Sequence, residues 1–215
     1  MSIQSIELID NMGNDNSVVD AARVSLSKQA NQFTDEQNHK LISYLANHNH
    51  WSPFAHTAIT LRLQAPIAIH AQMMKHTVGF AHNTTSRRYV SDTPELFVPD
   101  FREAPKGNVK QGSGEELVPK QNHYLQGRYQ DACHNAIREY EFLLSQGVSA
   151  EQARFVLPQG VMTEWVSTGS LYAWARFYNL RTDPHAQKEI QTLAEMVGEI
   201  IEPLYPVSWR SLTRL

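Results

Sequence analysis

A polar, cation-bearing segment near the middle of the chain limits what this sequence can fold into. Residues 75–77 are Lys-His-Thr and residues 83–89 are Asn-Thr-Thr-Ser-Arg-Arg-Tyr, so that cations, hydroxyls and an amide occur together within fifteen residues. Such a segment cannot form core, so the fold has to present it at an accessible surface. Its guanidinium groups, hydroxyls and backbone N–H groups are the donors that a site for phosphate and a polar base needs. Composition alone leaves a second interpretation open, because charged runs are usually solvated loops.

The length and charge of the chain favour one soluble globular domain. Its 215 residues, with 41% hydrophobic and 19% charged side chains, predict a single domain over residues 1–215. The formal net charge of -3 gives no overall attraction for polyanions, so a bound phosphate has to be held by a local arginine cluster. Bulk nucleic-acid binding is therefore disfavoured, and no nucleic-acid partner is predicted.

Nothing in the sequence predicts export or membrane insertion. The N-terminus has acidic and polar residues where a signal peptide needs a basic region and an apolar run, and no run approaches about 18 apolar residues. The single cysteine, Cys133, excludes an intrachain disulfide and a multi-cysteine metal site, which fits a reducing compartment. We therefore expect a cytoplasmic protein without a membrane partner.

Neither a catalytic cysteine nor a metal site is predicted. Cys133 lies within a helical pattern and lacks the glycine-rich or helix-start surroundings that activate a thiol, so we expect it to be packed and inert. Three histidines lie close together in the sequence, His48, His50 and His56, but their spacing matches no standard zinc motif. Histidines on polar turns more often form hydrogen bonds or face solvent.

Local patterns predict an alternation of short strands and helices. Residues 57–63 alternate between two sets of side chains, as in a half-buried strand, and Thr34 with Gln37 forms a capping box that opens a helix. Residues 91–121 contain four prolines and are predicted to be irregular, with one short strand near residues 96–98. The other predicted elements are a strand at residues 3–10 and helices that begin near Ser17 or cover residues 65–74, 122–146, 150–155, 163–178 and 184–202.

These elements predict an α+β fold in which an antiparallel sheet is flanked by long helices. No glycine-rich dinucleotide fingerprint follows a strand, so a dinucleotide cofactor, if bound, is not expected to be held in a Rossmann manner. A cluster of aromatic side chains at helical spacing is expected in the core or in a subunit contact rather than in a stacking platform. The cluster comprises Trp165, Trp174, Phe177 and Tyr178.

Four blocks of the sequence, in the same order and with similar spacing, resemble the family of flavin-dependent thymidylate synthases. That family carries an Arg-His-Arg, then Ser, Asn and a Ser-x-Arg-Tyr ending, and residues 72–89 are similar to this motif. The other blocks are residues 12–15 with 21–25, residues 50–56, and residues 153–158 with 179–187. The sequence departs from the family where Lys75 and Thr77 replace arginines, Thr84 replaces a common glutamate, Ala55 lacks a common carboxylate, and one extra residue lies between His76 and Asn83.

The resemblance implies roles for individual residues. Arg181 matches the residue that faces the pyrimidine, and we expect it to be the catalytic residue and the most damaging single loss. A guanidinium at the uracil edge favours the deprotonated ring nitrogen and an electron-rich carbon 5. The residues expected to bind dUMP are Gln72, Lys75, Ser86, Arg87, Arg88, Arg154 and Arg181. The residues expected to hold FAD are Ser52, Lys75, His76, Thr77, Thr84, Ser170, Tyr172 and Arg176.

The activity that the resemblance implies is conversion of dUMP to dTMP. In that family methylenetetrahydrofolate is the one-carbon donor, and FAD reduced by NADPH is the hydride source. The resemblance also implies a homotetramer with active sites at subunit interfaces. Two other functions stay open at this point: a non-catalytic nucleotide- or single-strand-binding protein that keeps the phosphate clamp, and a flavoenzyme that methylates another pyrimidine.

Overall fold

The structure is a computed structural model that describes residues 4–107 and 112–213. Within those ranges, four strands form one antiparallel sheet in the order β1-β2-β4-β3. The strands are β1 (Ser5–Met12), β2 (Ala58–Pro66), β3 (Phe80–Thr84) and β4 (Met162–Gly169). The predicted α+β class with an antiparallel sheet is confirmed.

The helices account for most of the remaining regular structure. They are α1 (Asp15–Arg23), α2 (Asp35–Asn47), α3 (Ile67–Met73), α4 (Pro119–Ser145), α5 (Ala150–Ala153), α6 (Leu171–Arg181), α7 (Lys188–Ile201) and α8 (Pro206–Thr213). The capping box at α2 is confirmed, because the Thr34 hydroxyl accepts from the backbone N–H of Gln37 while the Gln37 side chain accepts from that of Thr34. In the described part of the chain, no helix is both long and apolar enough to span a membrane.

Strand β2 confirms the alternating pattern of residues 57–63. Ile59, Leu61 and Leu63 are fully buried and Arg62 is exposed, because successive side chains of a strand point to opposite faces. The strand continues through Pro66, so the helix predicted to open at residues 65–66 is present as α3 but begins at Ile67. Proline disfavours the helical conformation in the residue before it, which keeps Ala65 extended.

Strand β4 replaces the first half of the helix predicted at residues 163–178. The segment is rich in β-branched and aromatic residues, and its residues Trp165, Ser167 and Gly169 are buried while those between them are half-buried. Helix α6 begins only after Ser170, whose hydroxyl accepts from the backbone N–H of Ala173. The helical spacing of Trp165 relative to Trp174 was therefore misleading, because one lies on a strand and the other on a helix.

Several other boundaries differ from the prediction. Strand β3 was not predicted, because five residues beside a polar run give little pattern. Helix α7 begins at Lys188 rather than at residue 184, since the Asp183 carboxylate accepts from the backbone N–H of His185 and forms a turn there. Helix α8 was also missed. The short strand predicted near residues 96–98 is an isolated antiparallel bridge between Leu96 and Val161, and residues 108–111 of the irregular stretch lie outside the described residues.

The chain groups into two compact units, described here separately. The first unit contains Gln4 and Ser5 with residues 63–75 and 83–165, and the second contains residues 6–62, 76–82 and 166–213. The prediction of a single domain stays a prediction.

Each unit has its own buried side chains. In the first, α4 and α5 pack together, and Cys133 is buried there, which confirms that it is packed. In the second, α6 packs against α7 and α8. The core prediction for the aromatic cluster holds for Trp165, Trp174 and Phe177, whereas Tyr178 is half-buried and meets the ring of Trp209 edge-on.

The cap of α2 can be tested by replacing its threonine. Thr34→Ala removes the acceptor for the Gln37 N–H, and we expect unfolding free energy to fall by about 1 kcal/mol in urea titrations. Thr192→Ala is the matched control, because that exposed hydroxyl donates back to the Lys188 carbonyl oxygen within α7 and caps no helix. Equal losses in the two variants would contradict a capping role for Thr34.

Candidate functional site

Six residues expected to bind the phosphate and sugar of dUMP lie in the first unit. The Ser86 hydroxyl accepts hydrogen bonds from the backbone N–H and Nε of Arg88, at 3.3 Å and 3.4 Å. Arg154 opens a short 3-10 turn after α5, and its Nε donates to the Glu151 carbonyl oxygen at 3.2 Å. The six are Gln72 in α3, Lys75 after it, Ser86, Arg87 and Arg88 after β3, and Arg154.

The two neighbouring arginines of this group differ in their surroundings. Arg87 donates from Nη1 to the backbone carbonyl oxygen of Asp92, and the same nitrogen lies 3.5 Å from the Asp92 carboxylate. Its side chain is only 18% exposed. Arg88 is exposed, and its guanidinium lies 5.2 Å from the ring centre of Tyr89. Arg88 is therefore the more accessible cation for an anionic ligand.

Helix α6 carries the functional residues of the second unit. Ser170 caps it, Tyr172 and Arg176 lie within it, and Arg181 is its last residue. The indole Nε1 of Trp174 donates to the Ile59 carbonyl oxygen at 3.1 Å, which ties the helix to β2. These contacts hold the polar side chains of α6 on a fixed scaffold.

A cavity of about 320 Å³ opens beside α6 in the second unit. Tyr172 and Arg176 line it, together with Trp51, whose ring centre lies 6.1 Å from that of Tyr172. Ser52, the residue expected from the same block, does not line it. Trp51 was not predicted as a site residue, although a tryptophan inside a matched block of the sequence was a usable signal. The remaining lining comes from Leu45, Ala46, Asn47, Asn49, His50, Phe54, Ala175, Asn179, Ser211 and Leu212.

His76 and Arg181, which the sequence separates widely, are in direct contact. Arg181 donates from Nε to His76 Nε2 at 2.8 Å. Arginine has no acceptor, so Nε2 must carry the lone pair and the proton of the neutral ring must lie on Nδ1. Burial, and then the positive charges of Arg181 and Arg176 and the neighbouring His82, lower the pKa of His76 to about 4. Burial also lowers the pKa of Arg181. His76 is therefore neutral at physiological pH.

A second histidine holds the backbone of the first. His82 on β3 has Nε2 3.0 Å from the His76 carbonyl oxygen and Nδ1 2.7 Å from the hydroxyl of the fully buried Ser167. No role was predicted for His82, because its partner Ser167 is distant in the chain and the extra residue before Asn83 obscured the family pattern.

The structure divides the predicted FAD residues between the units. Ser52, His76, Thr77, Ser170, Tyr172 and Arg176 lie in the second unit with Arg181, whereas Lys75 and Thr84 lie in the first. The Thr84 hydroxyl is 2.9 Å from Nε2 of His70, so a protein contact already engages it. Thr77 and Lys75 are exposed. Across the described residues, no group of three or more His, Cys, Asp or Glu side chains could hold a metal ion.

Comparison with known proteins places the chain in a family. Residues 7–207 match the family model described as thymidylate synthase complementing protein. A flavin-dependent thymidylate synthase from Thermotoga neapolitana is 33% identical over 209 residues, which cover 97% of this chain and 90% of that protein. One from Kosmotoga olearia is 34% identical over 208 residues, covering 96% and 88%. The chain belongs to the flavin-dependent thymidylate synthase family. The predicted family, and the prediction that the protein is an enzyme of this kind, are confirmed.

Solved structures extend the family likeness to three dimensions. The chain is similar to the UMP/dUMP methylase PolB from Streptomyces cacaoi bound with 5-Br dUMP, with a TM-score of 0.89 and 30% identity, over 99% of this chain and 95% of that one. A structure of PolB bound with 5-Br UMP gives a TM-score of 0.89 and 29% identity over the same shares.

The family histidine His76 provides a direct test of the site's electrostatics. We expect its ring to titrate near pH 4 in ligand-free protein, in the Nδ1-protonated tautomer, as read from imidazole nitrogen NMR shifts. In Arg181→Ala the pKa should rise, because a positive neighbour is lost, but not fully to 6.5, because burial is the larger cause. His39, exposed on α2, is the internal reference. An unshifted His76 in Arg181→Ala would contradict the contact.

Proposed function

We propose that the protein converts dUMP to dTMP, with methylenetetrahydrofolate as one-carbon donor and NADPH-reduced FAD as hydride source. Family membership and the likeness to a dUMP methylase support the proposal. The observation that carries it is the Arg181 guanidinium, which ends α6 and is held at Nε by a neutral imidazole. A guanidinium fixed in one plane suits an in-plane grip on the edge of a uracil ring.

The proposed role of Arg181 is electrostatic. Its permanent positive charge stabilises the negative charge that the pyrimidine gains when its ring nitrogen loses a proton, and this makes carbon 5 electron-rich. Partial burial strengthens this interaction, since solvent screens it less. Neutral His76 orients the guanidinium without neutralising it, which a carboxylate in that place would do.

The residues of the first unit are proposed to hold the nucleotide's phosphate and sugar. Ser86, Arg88 and Arg154 supply a hydroxyl and two guanidinium groups, which suit a phosphate dianion. Gln72 and Lys75 add an amide and an ammonium group. Arg87 is proposed to act mainly by holding the turn, because Asp92 already engages its guanidinium.

The donors of the second unit fit part of a flavin dinucleotide. Trp51 and Tyr172 offer aromatic surface for a flat ring, and Arg176 and Asn179 in the same cavity offer donors for phosphate or ribityl oxygens. With a volume of about 320 Å³, the cavity would take a portion of FAD rather than the whole molecule. His76, Thr77 and Ser170 remain proposed FAD contacts. When bound, FAD would supply the hydride that reduces the transferred carbon to a methyl group.

Flavin binding can be measured without catalysis. Arg176→Ala removes the cation from the cavity, and we expect it to weaken FAD binding by roughly 10- to 100-fold, as for the loss of a charged hydrogen bond. Quenching of flavin fluorescence during titration gives Kd. Arg62→Ala, an exposed arginine on β2 outside the cavity lining, should bind FAD as the unaltered protein does. Equal affinities in Arg176→Ala and Arg62→Ala would rule Arg176 out as a contact.

The activity itself can be tested with dUMP, FAD, NADPH and methylenetetrahydrofolate. We expect release of tritium from carbon-5-labelled dUMP together with formation of dTMP, and a loss of roughly 100- to 1,000-fold in kcat for Arg181→Ala. Arg62→Ala again serves as the control. A protein that cannot be loaded with FAD, or that leaves dUMP unchanged while its flavin is reduced and reoxidised, would contradict the proposal.

A second candidate substrate is UMP, because PolB is named a UMP/dUMP methylase and its structure with 5-Br UMP is equally similar. The same assay with UMP in place of dUMP separates the two. The alternative of a non-catalytic nucleotide-binding protein has only the Lys75 and Thr77 departures in its favour. A homotetramer with active sites at subunit interfaces, and a cytoplasmic location, are also proposed from the family resemblance.

A further inference from the structure

A chain of hydrogen bonds within the second unit runs from β4 through β3 to α6. The His76 carbonyl oxygen can only accept, so His82 must donate to it from a protonated Nε2. The other ring nitrogen, Nδ1, shares a hydrogen bond of 2.7 Å with the hydroxyl of Ser167 on β4. Arg181 donates to the His76 ring at the far end. The donors in the two hydrogen bonds to His76, His82 Nε2 and Arg181 Nε, are therefore assigned by chemistry alone.

The His82 ring is fixed by packing as well as by hydrogen bonds. It stacks on Phe80 with the ring centres 5.3 Å apart and the planes at 17°. Phe80 in turn meets Trp174 edge-on at 4.8 Å. Gly169 leaves room for Phe80, since a Cβ there would lie 2.5 Å from the Phe80 ring. His82 thus has little freedom to leave the His76 carbonyl.

We propose that His82 is a positioning residue, which holds the His76 backbone so that the His76 ring keeps the Arg181 guanidinium in its working orientation. His82 lies in the stretch that is one residue longer than the family pattern. Thr77, where the resemblance implies an arginine, lies in the same stretch, so this part of the chain departs from the family pattern in both length and charge. The inference rests on the proposed role of Arg181, but its structural part is measurable without substrate.

The positive charges around His76 determine how its pKa should change when His82 no longer holds its backbone. Arg181 and Arg176 face it from α6 and His82 faces it from β3, and burial adds to their effect. If the backbone at His76 is released, the ring becomes more hydrated and moves away from the α6 cations. Its pKa should then rise from about 4 toward 6.5, so that part of His76 becomes protonated near pH 6 and can no longer accept from Arg181.

Two amide variants of His82 distinguish the hydrogen bond to the His76 carbonyl from the general effect of a polar side chain at position 82. His82→Gln places an amide N–H where His82 Nε2 lies and keeps the donor to the His76 carbonyl. His82→Asn can accept from Ser167 but is too short to reach that carbonyl. Both remove the small electrostatic effect of the imidazole, so the difference between them reports positioning. His82→Ala removes both hydrogen bonds of the His82 ring. His39→Ala is the control variant, because His39 is an exposed histidine on α2.

Each variant is measured in three ways: thermal unfolding, NMR titration of the His76 ring in ligand-free protein, and the pH dependence of kcat and KM with dUMP. We expect His82→Asn and His82→Ala to raise the His76 pKa, to lose roughly 10- to 100-fold in kcat at pH 7, and to lose more toward pH 6. His82→Gln should resemble the unaltered protein in all three, as should His39→Ala.

The outcomes are decisive even if the proposed reaction is wrong. A His76 pKa that is the same in folded His82→Asn and His82→Gln would overturn the positioning role, and so would equal kcat values with unchanged pH profiles. If the unaltered protein does not methylate dUMP, the proposed function fails, while the titration of His76 still decides whether His82 positions it. If His82→Ala does not fold, the comparison of His82→Gln with His82→Asn stands alone.

Discussion

The pairing of β4 with β2 on one side and β3 on the other sets the geometry of the candidate site. Thr168 meets Thr60 across the first pairing, and Ser167 meets His82 across the second. Since adjacent strand residues point to opposite faces, a slip of one residue would take Ser167 away from His82 and expose it. The chain then turns at Ser170 into α6, so the register of β4 also fixes where Arg181 lies.

The contact between Arg181 and His76 requires a neutral His76 ring. A protonated imidazole would be repelled by both α6 arginines and would have no lone pair for Arg181. The folded pKa of about 4 lies below the ordinary value of 6.5, so between these values the unfolded chain binds more protons than the folded one. Stability contributed by His76 therefore increases as pH rises through this window and is fully present above pH 6.5. The site is thus organised for neutral pH.

Sequence patterns predicted those parts of the fold that depend on neighbours in the chain. The capping box at Thr34 and the alternation in β2 need only a few adjacent residues, and both were recovered. β4 was mistaken for helix because Trp165 lies at helical spacing from residues of α6, and only pairing with distant strands shows its true state. The family resemblance supplied the expected role of Arg181, but nothing in the local pattern could reveal its partner His76 or the link of His82 to Ser167, which is 85 residues away.

The departures from the family motif have a physical counterpart in the structure. The resemblance implies arginines at the positions of Lys75 and Thr77 on either side of His76, and neither lysine nor threonine carries a planar guanidinium group. The cations that face His76 come instead from α6, as Arg176 and Arg181. An imidazole that faces cations from another element keeps its position only if its own backbone is held. The neighbouring Thr77 side chain is exposed, so it does not pack against the site to provide this. In the proposed arrangement that anchor is His82, which lies in the same altered stretch of sequence and donates from Nε2 to the His76 carbonyl oxygen.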